Sequence, residues 1–434
     1  MSRWRFAAAL PLVAALLLAA SPASAETVIV RAGRLLDVEQ GRYLEDQAIR
    51  VENGKVAAVA PFAAGAAGDV RVIDWSAYTV LPGLIDLHTH LVGDISSADI
   101  AAPLASSAAR DVLLGVAHAR ATLEAGFTTV RDVGVYRAYT DVALRDAINA
   151  GIVVGPRMYV AGAYVTVSHG GGEVTGLAPD VGIPADMRRG VANSADEVRQ
   201  RVREILGNGA DFIKVIATGA VFTAGTTPSA PEFTEEELRA AVQEAANKGT
   251  FVVAHAHSAE GIKRAVRAGV RSIEHASYLD DEGIELMRRN GTWLDADIYN
   301  GDYTEEVGSR NGWSAEIMRK NRETTDVQRE AFRKAVKAGV RIGFGTDAGI
   351  YPHGQNARQF AYMVRYGMTP LGAIRASTID AARCLGYERD IGSVAPGKYA
   401  DLIAVTGDPL ADIETLRKIA GVIKEGRLII GGNP

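Results

Sequence analysis

Between about Leu81 and Leu385 the chain repeats one alternation: a short run of apolar, often β-branched residues, then a longer stretch with apolar positions at helical spacing. Runs start near Leu84, Thr128, Arg157, Phe212, Phe251, Ser272, Thr292 and Ile342, with helical spacing clear over 235–248 and 325–338. The rhythm predicts eight parallel strands with covering helices. An open doubly wound sheet would share it, but no Gly-rich dinucleotide fingerprint follows the first run. The chemistry-bearing residues also end many different runs, so the expected fold is α/β, a (β/α)8 TIM barrel over 81–390.

The flanks have another texture. Val28-Ile29-Val30, the segments within 48–59 and 71–74 place β-formers between turns at Gly41, Asn53-Gly54 and Gly65. The same pattern returns at 400–405 and 419–430, with a turn at Glu425-Gly426. Both ends are therefore expected to combine, as 26–80 and 391–434, into one small β-sandwich beside the barrel. Two connections are long for such a barrel: 164–192, containing His169-Gly170-Gly171-Gly172, and 218–234, with Gly219, Gly225 and Pro228. Loops of that length either shape a substrate pocket or act as a flexible lid.

At the start, Arg3 and Arg5 precede an apolar stretch over 7–20, and Ala23-Ser24-Ala25 has the small-x-small form of a cleavage site. The apolar run is short for a bilayer span, so 1–25 reads as a signal peptide cut after Ala25, which makes the mature chain periplasmic or secreted. Cleavage removes two positive charges and takes the formal net charge from −5 to −7. Nothing in that balance suggests nucleic acid, or a membrane after cleavage, as a partner. The single cysteine, Cys384, excludes an intrachain disulfide; within the helical pattern of 373–384 it reads as a packing residue.

Six residues carry the candidate chemistry. His88 and His90, at i and i+2 on an extended segment, leave one face and can grip one metal. His255 and His275 each close an apolar run; alone, either would pass for a hydrogen-bonded core residue, but neutral imidazoles suit zinc and related ions. Lys214, pointing into a barrel, must be paired, neutral or modified. A neutral Lys214 could be carboxylated to N6-carboxylysine and bridge two cations, whereas a charged one would pair with Asp347 or Glu274. Asp347 can ligate one metal while taking a proton from a water shared by two, which points to hydrolysis of an amide or related bond.

The motifs Leu81-Pro82-Gly83-Leu84-Ile85-Asp86-Leu87-His88-Thr89-His90, Ile213-Lys214-Val215, Ala254-His255-Ala256-His257, Ile273-Glu274-His275, Gly345-Thr346-Asp347 and Gly392-Ser393-Val394-Ala395-Pro396-Gly397-Lys398-Tyr399-Ala400-Asp401-Leu402 resemble, as a set, the amidohydrolase superfamily. The resemblance runs from about residue 27 to the end. It implies that His88 and His90 hold the more buried of two divalent ions with Asp347, that His255 and His275 hold the second, and that carboxylated Lys214 bridges them. Zinc is the usual occupant, and Asp347 would carry the bridging hydroxide's proton to the leaving amine. Within the superfamily the texture is similar to the imidazolonepropionase-related branch that includes Xaa-Pro and other metallodipeptidases, N-acyl amino acid carboxypeptidases and ochratoxin-hydrolysing enzymes. Lys214 favours its two-metal members. Members of this branch are commonly homo-oligomers, up to octamers, so assembly is expected on the same ground.

His257 departs from relatives that carry Tyr two residues after the ligand; it is a candidate contact for a substrate carboxylate or, sharing the face of His255, the ligand itself. His169, Tyr136, Arg137, Tyr164 and His353 stand in loops or just after strands, where they would bind a carboxylate or aryl group or simply pack. His118, on the helix before Glu124, reads as structural. The expected activity is release of a C-terminal amino acid from a dipeptide or N-acyl amino acid, ochratoxin A included. Cyclic-amide hydrolysis or deamination is the second enzyme reading, and a non-catalytic binding protein on the same scaffold the reading of another class.

Overall fold

The computed structural model describes residues 27–431 apart from 65–67, 94 and 96–98. The expected signal peptide and the turn at Gly65 lie outside the described residues, and no helix among those described is long and apolar enough to cross a membrane. Strands β1 (Thr27–Asp37), β2 (Arg42–Glu52), β3 (Lys55–Pro61) and β4 (Arg71–Pro82) come first. They are followed by β5 (Leu84–Thr89), β6 (Phe127–Asp132), β7 (Arg157–Val160), β8 (Tyr164–Val165), β9 (Ile213–Ile216), β10 (Val252–Ala256), β11 (Ser272–His275), β12 (Trp293–Asp295) and β13 (Arg341–Ile342). Strands β14 (Leu402–Val405), β15 (Ile419–Lys424) and β16 (Arg427–Ile430) come last.

Both chain ends do combine, in one hydrogen-bonded seven-stranded sheet in the order β16-β15-β14-β4-β1-β2-β3, whose two ends approach each other where the amide of Val56 donates to Lys398 O at 2.8 Å and that of Ala400 to Gly54 O at 2.9 Å. The β2–β3 hairpin turns on Asn53 and Gly54, both at positive φ, the conformation that matches strand twist in a two-residue turn. The inward positions of β1, β2, β4 and β14, among them Val30, Ile49, Trp75 and Leu402, bury a core of their own.

The middle of the chain is a mixed α/β fold whose strands pair in parallel: a three-stranded sheet, β5-β6-β7, and a six-stranded one, β8 through β13. Backbone bonds cross both seams. The amide of Asp211 donates to Val160 O at 2.8 Å beside the β7–β8 kink, where Gly162 sits at φ +73°, and the amide of Leu87 donates to Phe344 O at 2.7 Å. The arrangement is compatible with a barrel, although the strands do not form one continuous closed sheet.

Every expected run begins within one residue of an observed strand. Two helices differ from expectation. The helix expected over 325–338 spans Ala315–Ala338, because Ser314 caps its start and its first turns bury Lys320, Asn321 and Thr324, which breaks the apolar periodicity. The helical stretch expected over 373–384 is two helices, Pro370–Ala376 and Ile379–Leu385, parted where the Ser377 hydroxyl donates to Ile85 O at 2.8 Å. Cys384 is buried, with its sulfur 3.9 Å from an Arg131 nitrogen.

Candidate metal centre

The C-terminal ends of the parallel strands converge on one cavity of about 120 Å³. β5 delivers His88, with His90 just beyond it; β9 delivers Lys214; β10 delivers His255, followed by His257; β11 ends on His275; Asp347 lies five residues past β13. All seven line the cavity and all are buried. His275 and Asp347 have positive φ, +69° and +56°, which is costly for residues with a Cβ and is found where surroundings enforce a functional geometry.

Two groups of donors form. In the first, His88 Nε2 and His90 Nε2 lie 3.4 and 3.2 Å from Asp347 Oδ1. Each ring is gripped from behind: His88 Nδ1 bonds Glu274 Oε2 at 2.8 Å, and His90 Nδ1 bonds Gly134 O at 2.9 Å. In the second, the rings of His255, His257 and His275 pack with centroids 4.5 to 4.8 Å apart. Asp297 holds His275 Nδ1 at 2.8 Å, Ser277 Oγ holds His257 Nδ1 at 2.8 Å, and His255 Nε2 faces Gly219 O at 3.3 Å. A third overlapping group, His275, Asp297 and Asp347, joins the two.

These residues fit divalent cations. Metal-ligating histidines characteristically bond a carboxylate, carbonyl or hydroxyl through the nitrogen turned away from the metal, and four of the five rings here bond such a partner through Nδ1. Burial pushes His88 down from the ordinary imidazole value and His255 well below it. Burial and His275 push His257 to about 3. Neutral imidazole is the form a metal needs. Burial lowers His275 too, but the Asp297 carboxylate outweighs it and leaves that ring raised. Burial alone would raise the Asp347 carboxyl; bonding and charge from His88 and His90 prevail and hold it well below the usual range.

Lys214 is pushed down to about 8, by burial first and against the opposing pull of Glu274. The ion pair weighed for it has little carboxylate to use. Glu274 accepts from Arg131 at 2.9 Å, Ser272 at 2.6 Å and His88, while Asp347 Oδ2 accepts from Asn300 Nδ2 at 3.1 Å and its Oδ1 faces the two imidazoles. Lys214 also lies close enough to both groups to depress His88, His255 and His257.

Of the candidate substrate contacts, Tyr136, Tyr164 and His257 line the cavity, with Tyr164 Oη 3.2 Å from His90 Nδ1. Three others are not among its lining residues. Arg137 is tied to Asp186 at 2.8 Å and to Ser106 O at 2.9 Å. His169 is exposed, its amide bonded to Glu173 at 2.5 Å. His353 stacks on His118 with centroids 4.4 Å apart, and His118 bonds Leu91 O.

Sequence reasoning missed Asp297, Asn300 and Gln328. Asp297 follows Trp293-Leu294-Asp295 at i+2 from Asp295, the same spacing that singled out His88 and His90, so a signal existed. Asn300 and Gln328 have none, because they belong to helices that reach the site only through packing.

Residues 79–429 match the profile of the Amidohydrolase family. An ochratoxinase of Aspergillus niger is 35% identical over 376 residues, covering 81% of this chain and 76% of that protein. An imidazolonepropionase of Micrococcus luteus is 26% identical over 391 residues, 87% of this chain and 92% of that one. The crystal structure of a Xaa-Pro dipeptidase with methionine bound in its active site superposes with a TM-score of 0.89 at 36% identity, covering 93% of this chain and all of that one.

Proposed function

The chain belongs to the amidohydrolase family, and from that premise we propose that it is a two-metal hydrolase of the amide bond in dipeptides or N-acyl amino acids, built on a (β/α)8 barrel. The observation that carries the reading is the pair of donor groups, joined through His275, Asp297 and Asp347, inside one cavity that Lys214 also lines. His88, His90 and Asp347 would hold one cation and His255 and His275 the other, with N6-carboxylated Lys214 between; the neutral imidazoles suit zinc. An ochratoxinase and a Xaa-Pro dipeptidase among the relatives support cleavage of an amide flanked by an amino acid.

Bound there, two divalent ions would supply an acidic water and polarise the scissile carbonyl. The protein's own part is proton handling and placement. Asn300 holds Asp347 Oδ2, so the carboxylate is oriented to take a proton from the attacking water and return it to the departing nitrogen, without which the C–N bond would expel an unstable amide anion. Tyr136, Tyr164 and His257 supply hydrogen bonds to the substrate, His257 being placed for its carboxylate. We further propose that the enzyme is exported after cleavage at Ala25 and assembles as a homo-oligomer, which N-terminal sequencing and light scattering of the secreted protein would check.

The test is metal content together with amino acid release from dipeptides, N-acyl amino acids and ochratoxin A, with and without chelator. About two metals per chain and chelator-sensitive release are expected from this site. Release of ammonia, or ring opening with no second fragment, would replace the reading by deamination or cyclic-amide hydrolysis.

A further inference from the structure

One wall of the cavity is a tight loop, Ala220, Val221, Phe222 and Thr223, and it is tied down by a residue with no place in the chemistry. Lys320, on the helix Ala315–Ala338, is only 2% exposed. Its ammonium donates to Thr223 O at 2.8 Å, reaches Ala220 O at 3.5 Å and pairs with Glu316 at 2.7 Å. Glu316 in turn accepts from the amide of Gly225 at 3.0 Å. Thr226 closes the knot, its hydroxyl taking the amide of Ala220 at 3.1 Å and donating to Thr223 O at 3.0 Å. A buried ammonium is tolerated only where acceptors replace its water, and this loop provides them with its own backbone carbonyls.

The clamp shapes what the site offers. Thr223 Oγ1 takes the amide of Gly172 at 3.0 Å and Thr175 donates to Ala224 O at 2.7 Å, so the glycine-rich loop rides on the same knot. Val221 packs with Trp313, Ile317 and Ile350, and Phe222 meets the Trp313 ring edge-on at 5.1 Å. Among the described lining residues there is no arginine, and the sole lysine is Lys214. An acidic substituent would find no guanidinium or free ammonium on this wall. A basic one would find only Asp297 and Asp347, already engaged by histidines.

We propose that Lys320 is a positioning residue that holds the 220–223 wall in place, and that this wall selects an uncharged, apolar side chain beside the scissile amide. The selectivity half rests on the amide-hydrolase reading; the clamp does not. The variant is Lys320→Met, which keeps the stem and removes every donor, with Glu316→Gln as the milder one should the first fail to fold.

Hydrogen exchange of peptides spanning 219–226 should speed up roughly tenfold in either variant, while peptides carrying His88, His90 and His255 stay unchanged and metal content is kept. For substrates with a bulky apolar side chain, KM should rise roughly tenfold with kcat nearly constant, and the preference over charged analogues should shrink. Unchanged exchange overturns the clamp whether or not the protein hydrolyses amides. Equal use of apolar and charged substrates by the native protein overturns the selectivity. If the native protein cleaves no amide, the function reading fails by itself, and protection of the 219–226 amides by N-acylphenylalanine but not N-acylglutamate still decides the wall.

Discussion

The two donor groups of the site are defined to different degrees. On the His88 and His90 side each ring is held from behind by an acceptor, a carboxylate for His88 and a carbonyl for His90, so both must carry the proton at Nδ1 and present Nε2 forward. Glu274 is itself fixed by Arg131, whose guanidinium also reaches Asp295 at 2.7 Å. On the other side three imidazoles crowd the space of two. His275 has a carboxylate behind it, but His257 has a hydroxyl that can donate or accept, and His255 has its Nε2 turned to a carbonyl. A backing group that can only accept dictates tautomer and direction, whereas a hydroxyl leaves both open. The first half is therefore committed before any ion arrives, and the second retains a choice of ligand.

The largest expected effect comes from the residue that lies close to both halves. Lys214→Ala should lose both metals and turnover, read by elemental analysis and amino acid release; full turnover would mean that the halves need no bridge. Asp347→Asn keeps the size of the side chain but not the base, and kcat should fall by about 10²–10⁴. The comparison is sharpened most by His255→Ala against His257→Ala. The first should cost one metal, the second should keep both and raise KM about tenfold, and an exchange of these outcomes would make His257 the ligand.

Glu274→Gln removes the charge behind His88 and should weaken metal binding by about 10–100-fold in competition with a chelator. The smallest effect is one of pH. The Lys214 ammonium titrates near 8 in the folded, unmodified protein against an ordinary value of 10.5. Between those values the unfolded chain binds the extra proton, so denaturation of the metal-free protein should require more urea as pH is raised through that window. A flat profile would show that Lys214 stays charged in the fold.

Most of this was legible along the chain, for particular reasons. Strand starts were readable because a strand buried on both faces is an unbroken apolar run, as in Phe251-Val252-Val253-Ala254 ahead of His255. Ligands at strand ends were readable because chemistry interrupts such runs abruptly. Where a buried face is polar the pattern fails. The helix Ala315–Ala338 turns Lys320, Asn321, Thr324 and Gln328 inward, so its first ten residues resemble a surface segment. Arg137, His169 and His353 looked equivalent to Tyr136 and Tyr164 in sequence, since a loop residue carries no mark of which way the loop folds.

The sequence by itself determined the alternation of strand and helix, the β-strand texture of the two chain ends and the residue types at the strand termini, because these follow from local periodicity and from turn chemistry within a few residues. Only the tertiary structure decided that the ends form one sheet, that Asp297, Asn300 and Gln328 join the site and that Lys320 ties down a wall about a hundred residues away from it in sequence. Those outcomes depend on which buried polar groups find partners across the fold, and a partner distant in sequence leaves no local trace.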